Sequence, residues 1–256
     1  MKPKVLLIDI ETSPIEAFVW SLHDQNVSLP QVKTDWNILS WCAKWLGEKG
    51  VFYQDLSAKK NKRDDRPLLK KIWELLDEAD IVIGQNSNDF DLKKLNARFI
   101  QNRMQPPNNF KKIDTLKLAR KHFGFTSNKL AHLTDILCTK YKKLEHKDFP
   151  GLDMWKECLS GNPKAWASMK KYNIHDVLSL EELYTKLIPW DSSVNFTLYD
   201  NSPTHTCSCG SIKIHKKGYS YTSVGVYQRY RCMDCGAQTY GGKNLYGGPK
   251  HKNAVR

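Results

Sequence analysis

Two acids stand near the end of an apolar run at the start of the chain, Val5-Leu6-Leu7-Ile8-Asp9-Ile10-Glu11. The run predicts a buried strand, and side chains two residues apart on a strand share a face, so we expect Asp9 and Glu11 to lie side by side. Neighbouring carboxylates repel each other and lose solvation when they are buried. Magnesium or manganese, which take oxygen ligands, would remove this cost. The simpler interpretation is a strand that runs out into solvent.

Asp91 occupies a comparable position later in the chain. Residues 80–84 predict a short buried strand, and a glycine-containing loop then leads into a helix for which Ser87 or Asn88 is the expected N-cap. Asp91 borders the apolar stripe of this helix, which consists of Leu92, Leu95 and Phe99. The alternative is an ordinary first-turn acid that interacts with the helix dipole.

A long amphipathic stretch from Pro163 to Leu187 carries a third acid. Its apolar stripe recurs at steps of three and four residues and consists of Met169, Tyr172, Asp176, Leu180, Leu183 and Leu187. A carboxylate on the core-facing side of a helix, with a phenol one turn before it, requires a partner in the folded protein. That partner is either a metal or a buried hydrogen bond to tyrosine or backbone.

These three motifs, in this order, resemble the DEDD superfamily of 3′-to-5′ exonucleases. The matching residues are Asp-x-Glu on the first strand, Asn-Asp-Phe-Asp in the middle and Tyr-x-x-x-Asp on a late helix. The resemblance covers residues 1 to about 190. It implies an α/β, ribonuclease H-like fold, in which a mixed sheet is flanked by helices. Tyr172 marks the tyrosine subclass, because the histidine subclass has His where this chain has Lys171, and His175 is not that residue.

The resemblance also implies a role for each residue at a site for two Mg²⁺ or Mn²⁺ ions. Asp9 would bridge both metals, Glu11 and Asp176 would complete the site that generates hydroxide, and Asp91 would support the leaving-group metal. Tyr172 would orient the attacking water, since a phenol with a pKa near 10 is a poor base at neutral pH. Two cations about 4 Å apart can stabilise the negative charge that builds on all the phosphate oxygens.

The composition agrees with a polyanionic substrate. The chain has 40 Lys and Arg against 27 Asp and Glu, a formal net charge of +13. Such an excess favours nucleic acid or anionic membranes. The apolar runs are only strand length and the N-terminus lacks a signal-peptide pattern, so no membrane partner is expected and a cytoplasmic protein, cell- or virus-encoded, is predicted. DNA is the favoured substrate and RNA a possible one, and a polymerase or another replication or repair protein is a possible partner.

Four of the seven cysteines lie in the last fifty residues and predict one Zn²⁺ site. Cys232 and Cys235 form a Cys-x-x-Cys knuckle, whose tight turn lets two thiolates meet a tetrahedral ion. The first knuckle, Cys207 and Cys209, is one residue short, and His205 is an alternative ligand to either of them. Four cysteines are the favoured set. The remaining cysteines, Cys42, Cys138 and Cys158, are expected in the core.

Basic and aromatic residues alternate between the two knuckles over strand-like segments. Such surfaces grip phosphates and stack bases, although ordinary ribbon packing would account for any single tyrosine. The predicted nucleic-acid contacts are Lys213, Lys216, Lys217, Tyr227, Arg229 and Arg231. The expected domains are a ribonuclease H-like exonuclease domain (1–190), a linker (191–203), a zinc ribbon (204–240) and a flexible basic tail (241–256).

Further elements complete the expected exonuclease domain. A helix is predicted to begin at Pro67, and residues 38–46 and 51–54 are predicted strands that form an antiparallel meander with the first strand. Three functions fit this sequence: a 3′-to-5′ exonuclease, an endonuclease or ribonuclease on the same fold, and an inactive nucleic-acid-binding adaptor. The adaptor would lack one of the acids, and all four are present.

Overall fold

The computed structural model describes residues 3–142, 148–191, 194, 199, 205–223 and 225–246. They form two compact units, one of residues 4–183 and a second that begins at residue 184. The predicted linker lies largely outside the described residues, as does the tail from residue 247 onward. The described part of the chain contains no helix that combines the length and the apolar character of a membrane span.

The described residues contain ten strands and six α-helices. The strands are β1 (Val5–Thr12), β2 (Glu16–Ala17), β3 (Val32–Thr34), β4 (Ile38–Trp45), β5 (Phe52–Asp55), β6 (Ile81–Gly84), β7 (Lys111–Asp114), β8 (Ile214–Tyr221), β9 (Val226–Cys232) and β10 (Gln238–Asn244). The helices are α1 (Arg66–Glu78), α2 (Asp91–Gln101), α3 (Thr115–His122), α4 (Leu130–Leu137), α5 (Asp153–Ser160) and α6 (Pro163–Leu187). Two 3₁₀ turns lie at Leu29–Gln31 and Ile188–Trp190.

The main sheet has the order β5-β4-β1-β6-β7. Strands β5, β4 and β1 pair antiparallel, which confirms the predicted meander, whereas β6 and β7 continue the sheet in parallel with β1. Strand β1 is therefore central, with partners on both sides, and this position explains its nearly continuous apolar sequence. The predicted mixed sheet flanked by helices is confirmed.

The core explains why the helices pack where they do. Ile8 and Ile10 of β1, together with Trp41 of β4, join one apolar cluster with the buried stripe of α1. That stripe consists of Leu68, Leu69, Ile72, Leu75 and Leu76. Because side chains alternate along a strand, Ile8 and Ile10 point away from the face that carries Asp9 and Glu11.

Several sequence-based boundaries differ from the structure. Helix α2 begins at Asp91 with Phe90 as its N-cap, so the prediction of Ser87 or Asn88 as the cap was wrong. The main chain turns first, since Asn86 accepts backbone hydrogen bonds from residues 89 and 90. Helix α1 begins at Arg66, one residue early. Strand β10 runs to Asn244, four residues into the predicted tail, because Asn244 pairs with Tyr227 of β9.

The second unit contains a three-stranded antiparallel sheet in the order β10-β9-β8. The two cysteine knuckles lie before β8 and after β9, so the sheet brings them to one end. The carbonyl of Cys207 accepts a backbone hydrogen bond from Gly210, three residues on, and that of Cys232 accepts one from Gly236, four residues on, so each knuckle is closed by a tight turn. Gly210 and Gly236 have φ of 85° and 80°, a conformation that glycine adopts at little cost. This arrangement is compatible with a zinc ribbon.

Candidate active site

Three of the four predicted acids meet at one place. Asp9 and Glu11 come from β1 and Asp176 comes from α6, and one carboxylate oxygen of each lies within 4.8 Å of the other two. Asp176 is 3% exposed, whereas the other two are partly accessible. Three carboxylates at this distance repel one another strongly unless a proton or a cation lies between them.

Asp91 adjoins this cluster without belonging to it. Its Oδ1 accepts a hydrogen bond of 2.9 Å from the backbone N–H of Ile10, the residue between the two acids of β1. The pKa of Asp91 is raised to about 7. Burial is the main cause and the charge of Asp114 a smaller one, and together they outweigh the lowering effect of the Ile10 N–H. The structure therefore places a carboxyl group with an unusually high pKa beside β1.

Hydrogen bonds to Asp114 hold the loop that precedes α2. Asp114, at the end of β7, accepts hydrogen bonds from the backbone N–H groups of Asn86 at 2.9 Å and Asn88 at 3.2 Å. The same carboxylate caps α3 by accepting from the N–H of Leu116 at 3.0 Å. A Cβ at Gly84 would lie 2.4 Å from the Cβ of Ser87, so glycine is required for this close approach. Asp114 is thus a positioning residue for the loop that leads to Asp91.

Asn173 is a residue of the site that the sequence analysis missed. Its amide nitrogen donates to Oδ2 of Asp9 and, at 3.3 Å, to the backbone carbonyl of the same residue. Its amide oxygen accepts from the hydroxyl of Ser40 at 3.1 Å, and Ser40 lies opposite Glu11 in the β1–β4 pairing. The available signal was spacing, because Asn173 lies three residues before Asp176 and shares its side of the helix.

Trp155 of α5 was also missed. Its indole N–H donates to Oε2 of Glu11 over 2.9 Å. No sequence spacing could have indicated this contact, since 144 residues separate the two partners. Each acid of β1 therefore receives a hydrogen bond from a different helix, and these donors orient the carboxylates.

Tyr172 lies on α6 one turn before Asp176 and is 8% exposed. His175 is half-buried, and its ring contacts that of Tyr141 edge to face, with the ring centroids 5.7 Å apart. The carboxylate cluster does not include His175. This agrees with the expectation that His175 is not the histidine of the histidine subclass.

The pKa of the Cys42 thiol is affected by its burial and by the acid cluster. Cys42 lies opposite Asp9 in the sheet, and burial, followed by the charges of Asp9 and Asp176, raises its pKa far above the usual range. Cys158 responds similarly: burial, then Asp55 and Glu11, raise its pKa to about 12. In the metal-free protein, both thiols are therefore protonated at neutral pH.

The donor set fits hard divalent cations. Carboxylate oxygens are the ligands that Mg²⁺ and Mn²⁺ prefer, and the cluster of Asp9, Glu11 and Asp176 supplies three of them in a region of negative potential. Asp91, held against β1, adds a fourth oxygen donor next to the cluster.

The four C-terminal cysteines form a second candidate metal centre. Sγ of Cys207 lies 3.5 Å from Sγ of Cys235, and Sγ of Cys209 lies 3.7 Å from that of Cys232. All four sulfurs lie within 4.8 Å of one another. Burial opposes ionisation of Cys232, but the N–H groups of Cys235 and Asp234 and the neighbouring thiols outweigh it and lower its pKa to about 6. A tetrahedral ion with thiolate ligands fits this set.

His205 lies outside the cysteine group. Its side chain is exposed, and its ring packs against that of Tyr230 with the centroids 5.2 Å apart. The short first knuckle, with one residue between its cysteines, still brings both sulfurs to the second knuckle.

The strand register separates the predicted nucleic-acid contacts onto different surfaces. Tyr227, Arg229 and Arg231 alternate along β9 and therefore share one face, which Tyr240 joins because it pairs with Arg229. The Tyr227 and Tyr240 rings lie 6.0 Å apart. We call these four residues the basic-aromatic face. Lys216 pairs with Tyr230 and lies on the opposite face.

The two other predicted contacts, Lys213 and Lys217, are not members of the basic-aromatic face. Lys213 precedes β8 and pairs with Asp234 of the second knuckle at 3.4 Å. Lys217 lies where the register between β8 and β9 shifts, and its carbonyl accepts from Nε of Arg229. The six predicted contacts thus do not form a single surface.

The comparisons with known proteins agree with this architecture. Residues 32–188 match the model of the RNase H superfamily, and the chain belongs to that superfamily. The family B DNA polymerase of the hyperthermophilic archaeon Pyrobaculum calidifontis has a similar structure, with a TM-score of 0.54 and 16% sequence identity. The match covers 73% of this chain and 25% of the polymerase, so the chain spans about a quarter of that protein's length. No curated protein sequence matched.

Superfamily membership and the acid cluster together support a nuclease assignment. RNase H-like nucleases use divalent metals, and both the carboxylate triad and the four-cysteine cluster could bind them. The net charge of +13 favours a polyanionic partner such as nucleic acid.

Proposed function

We propose that the protein is a two-metal-ion 3′-to-5′ exonuclease that hydrolyses phosphodiester bonds in DNA or RNA, with DNA favoured. The single observation that carries this proposal is the meeting of Asp9, Glu11 and Asp176 within 4.8 Å, from motifs far apart in the sequence. Asp91 beside Ile10 supplies the fourth acid of the DEDD pattern.

The residues of the proposed site have different roles. Asp9, Glu11, Asp91 and Asp176 would hold the two Mg²⁺ or Mn²⁺ ions. When bound, such ions lower the pKa of water and stabilise negative charge on a phosphate. Asn173 and Trp155 orient the carboxylates of Asp9 and Glu11 through their N–H groups.

Tyr172 is the proposed orienting group for the attacking water. It lies one helical turn before Asp176, so its hydroxyl and the carboxylate project from the same side of α6. A phenol donates or accepts a hydrogen bond at neutral pH but does not act as a base there.

The C-terminal unit is the proposed zinc ribbon, with Cys207, Cys209, Cys232 and Cys235 as ligands and nucleic-acid binding as its role. The basic-aromatic face supports this role, since two arginines can contact phosphates while two tyrosines stack on bases. Arg231 and Tyr240 are the exposed members of this face, and Tyr240 is 66% exposed.

The exonuclease proposal is tested with end-labelled single-stranded and duplex DNA and RNA in Mg²⁺ or Mn²⁺. Wild-type protein should release the label first from a 3′-labelled strand, and Asp9→Asn should reduce cleavage by at least about 1,000-fold. Asp89→Asn is the matched control, because Asp89 is an exposed acid paired with Lys93 and Lys117. Internal fragments that precede terminal nucleotides would indicate an endonuclease. Equal activity in Asp9→Asn and Asp89→Asn would overturn the proposal.

The role of the ribbon is tested separately by binding. A variant with Arg231→Ala and Tyr240→Ala should bind a labelled single strand more weakly and with a shallower salt dependence than wild type. Lys216→Ala with Tyr219→Ala is the matched control, since Lys216 lies on the opposite face and Tyr219 is 49% exposed. Equal losses in both variants would remove the assignment of this face.

A further inference from the structure

A cavity of about 430 Å³ lies where the edge strand β5 meets the start of α6. Strand β5 contributes Tyr53, Gln54 and Asp55 to its wall, and α6 contributes Trp166 and Lys170. The cavity lies entirely within the unit of residues 4–183. Its volume is in the range of protein cavities that bind small molecules.

The cavity is separate from the acid cluster, although both lie on the same face of the sheet. Asp55 pairs with Ser40, and Ser40 pairs with Glu11, so these three side chains share a face. Two strand spacings separate Asp55 from Glu11, a distance of about 10 Å between backbones. The cavity wall includes neither Asp9 nor Asp176. The cavity is therefore a second candidate site and not a part of the first.

Two buried polar atoms in the cavity wall have no hydrogen-bond partner within the described part of the chain. They are Nε1 of Trp166, which is a donor, and Oε1 of Gln54, which is an acceptor. Trp166 is only 4% exposed. A buried polar group without a partner destabilises the folded protein. A ligand that accepts a hydrogen bond from the indole and donates one to the amide oxygen would remove this cost.

The α6 side of the cavity carries positive charge. Lys170 is exposed, and its Nζ lies 5.5 Å from the centre of the Tyr53 ring. Nζ of Lys62 lies 5.8 Å from the centre of the Trp166 ring. The first turn of α6, a helix of 25 residues, adds the positive end of its dipole. An anionic group is therefore stabilised on this side of the cavity.

The β5 side of the cavity favours a different kind of group. The carboxylate of Asp55 accepts hydrogen bonds from the N–H of Ser57 at 2.9 Å and from its hydroxyl at 2.6 Å. A ligand that is anionic throughout would be repelled by this carboxylate and would leave the Gln54 oxygen unpaired. A cation would be repelled by Lys170. The ligand that fits has an anionic group at one end and an uncharged group with N–H donors at the other.

We propose that this cavity binds a nucleoside 5′-monophosphate, with the phosphate beside Lys170 and the base beside Gln54 and Trp166. The nucleobases carry both N–H donors for the Gln54 oxygen and acceptors for the Trp166 indole. This inference rests on the proposed function. An exonuclease in which water attacks the phosphorus and expels the 3′ oxygen of the preceding nucleotide releases this molecule. The reaction product thus has a binding site outside the acid cluster.

Calorimetric titration with dAMP provides the first test. Full-length, zinc-loaded protein is used without Mg²⁺ or Mn²⁺, because the acid cluster then repels a phosphate. Wild type should bind one dAMP per chain, and Lys170→Gln and Trp166→Phe should each weaken binding about 10-fold. Lys186→Gln, at an exposed position near the other end of α6, should match wild type. No saturable binding to wild type, or equal binding in wild type and both cavity variants, would overturn the proposal.

Two further titrations identify the site and the ligand. Asp9→Asn should bind dAMP at least as tightly as wild type, and a loss of binding in this variant would assign the nucleotide to the acid cluster and overturn the proposal. Deoxyadenosine and inorganic phosphate should each bind at least about 10-fold more weakly than dAMP, because each supplies only one of the two groups. Phosphate that binds as tightly as dAMP would overturn recognition of the base.

The titrations also separate this proposal from the nuclease proposal, because they require no hydrolysis. If wild type cleaves no nucleic acid but binds dAMP through Lys170, the nuclease proposal fails and the cavity is still a nucleotide site. If wild type cleaves nucleic acid but does not bind dAMP in the absence of Mg²⁺ and Mn²⁺, the cavity assignment fails alone.

Discussion

The amide of Asn173 on α6 donates a hydrogen bond to the carboxylate of Asp9 on β1, across 164 residues of sequence. Asn173 is fully buried, and its amide oxygen is held in turn by the hydroxyl of Ser40. This chain of contacts fixes one orientation of Asp9, the acid proposed to bridge both metals.

Replacing Asn173 should therefore impair catalysis without removing an acid. We expect Asn173→Ala to lower kcat or metal affinity about 10–100-fold, as is usual for residues that orient metal ligands. Metal titrations of activity would measure both quantities. Asn96→Ala, an exposed position on α2, is the control and should behave as wild type. Unchanged metal dependence in Asn173→Ala would contradict the positioning role.

The pKa of Asp91 predicts a stability cost in metal-free protein. Burial raises the pKa of its carboxyl from 3.8 to about 7, so the folded state holds a proton that the unfolded state has already lost between these values. Stability contributed by Asp91 is present below pH 4 and is lost as the pH rises through about 7. Asp91→Asn keeps an oxygen for the N–H of Ile10 and removes the charge.

Thermal unfolding in EDTA would measure this cost. At pH 8, Asp91→Asn should be more stable than wild type by on the order of 3 kcal/mol, and the gap should close near pH 4. Asp89→Asn, at an exposed acid, should show no such gain. A lower melting temperature for Asp91→Asn at pH 8 would contradict the prediction.

Gly84 is expected to tolerate no side chain. A Cβ there would lie 2.4 Å from Cβ and 2.6 Å from Oγ of Ser87, so Gly84→Ala must displace the loop that leads to Asp91. We expect a loss of about 1–3 kcal/mol in unfolding free energy and reduced activity. Gly50→Ala, with nothing within 4 Å of its Cβ, is the control. Denaturant unfolding of both variants would decide whether the close approach matters.

The ligand set of the C-terminal centre can be read from metal content. Cys232→Ser should lose bound zinc, because this sulfur belongs to the four-cysteine group and its pKa is lowered to about 6. His205→Ala should retain one zinc per chain, since that histidine lies outside the group. Zinc measured by elemental analysis after gel filtration gives the answer. Loss of zinc from His205→Ala would restore histidine as a ligand.

The sequence predicted the elements that carry the acids because their patterns are long or strongly apolar. The apolar stripe of α6 predicted the bounds of the helix, Pro163 and Leu187. It also predicted that Asp176 lies among buried residues. The apolar run of β1 likewise predicted a buried strand, which the structure places at the centre of the sheet. Periodicity is reliable in such segments because burial requires it over many residues.

Contacts between distant residues could not be predicted in this way. The bonds from Trp155 to Glu11 and from Asn173 to Asp9 depend on how α5 and α6 pack on the sheet, and no local pattern encodes that packing. The start of α2 was misplaced because a main-chain turn after Asn86, whose φ is 62°, replaced the expected side-chain cap. In the C-terminal sheet, the irregular register after Lys216 separated residues that looked equivalent in sequence.

The order of the acids along the chain has a consequence for biosynthesis. Asp9 emerges from the ribosome first, and Asp176 follows 167 positions later, on a helix that ends at Leu187. A nascent chain shorter than this holds the earlier carboxylates but lacks the one that closes the cluster. Under the proposed function, the nascent chain can therefore complete its carboxylate cluster only after the α6 segment has been translated.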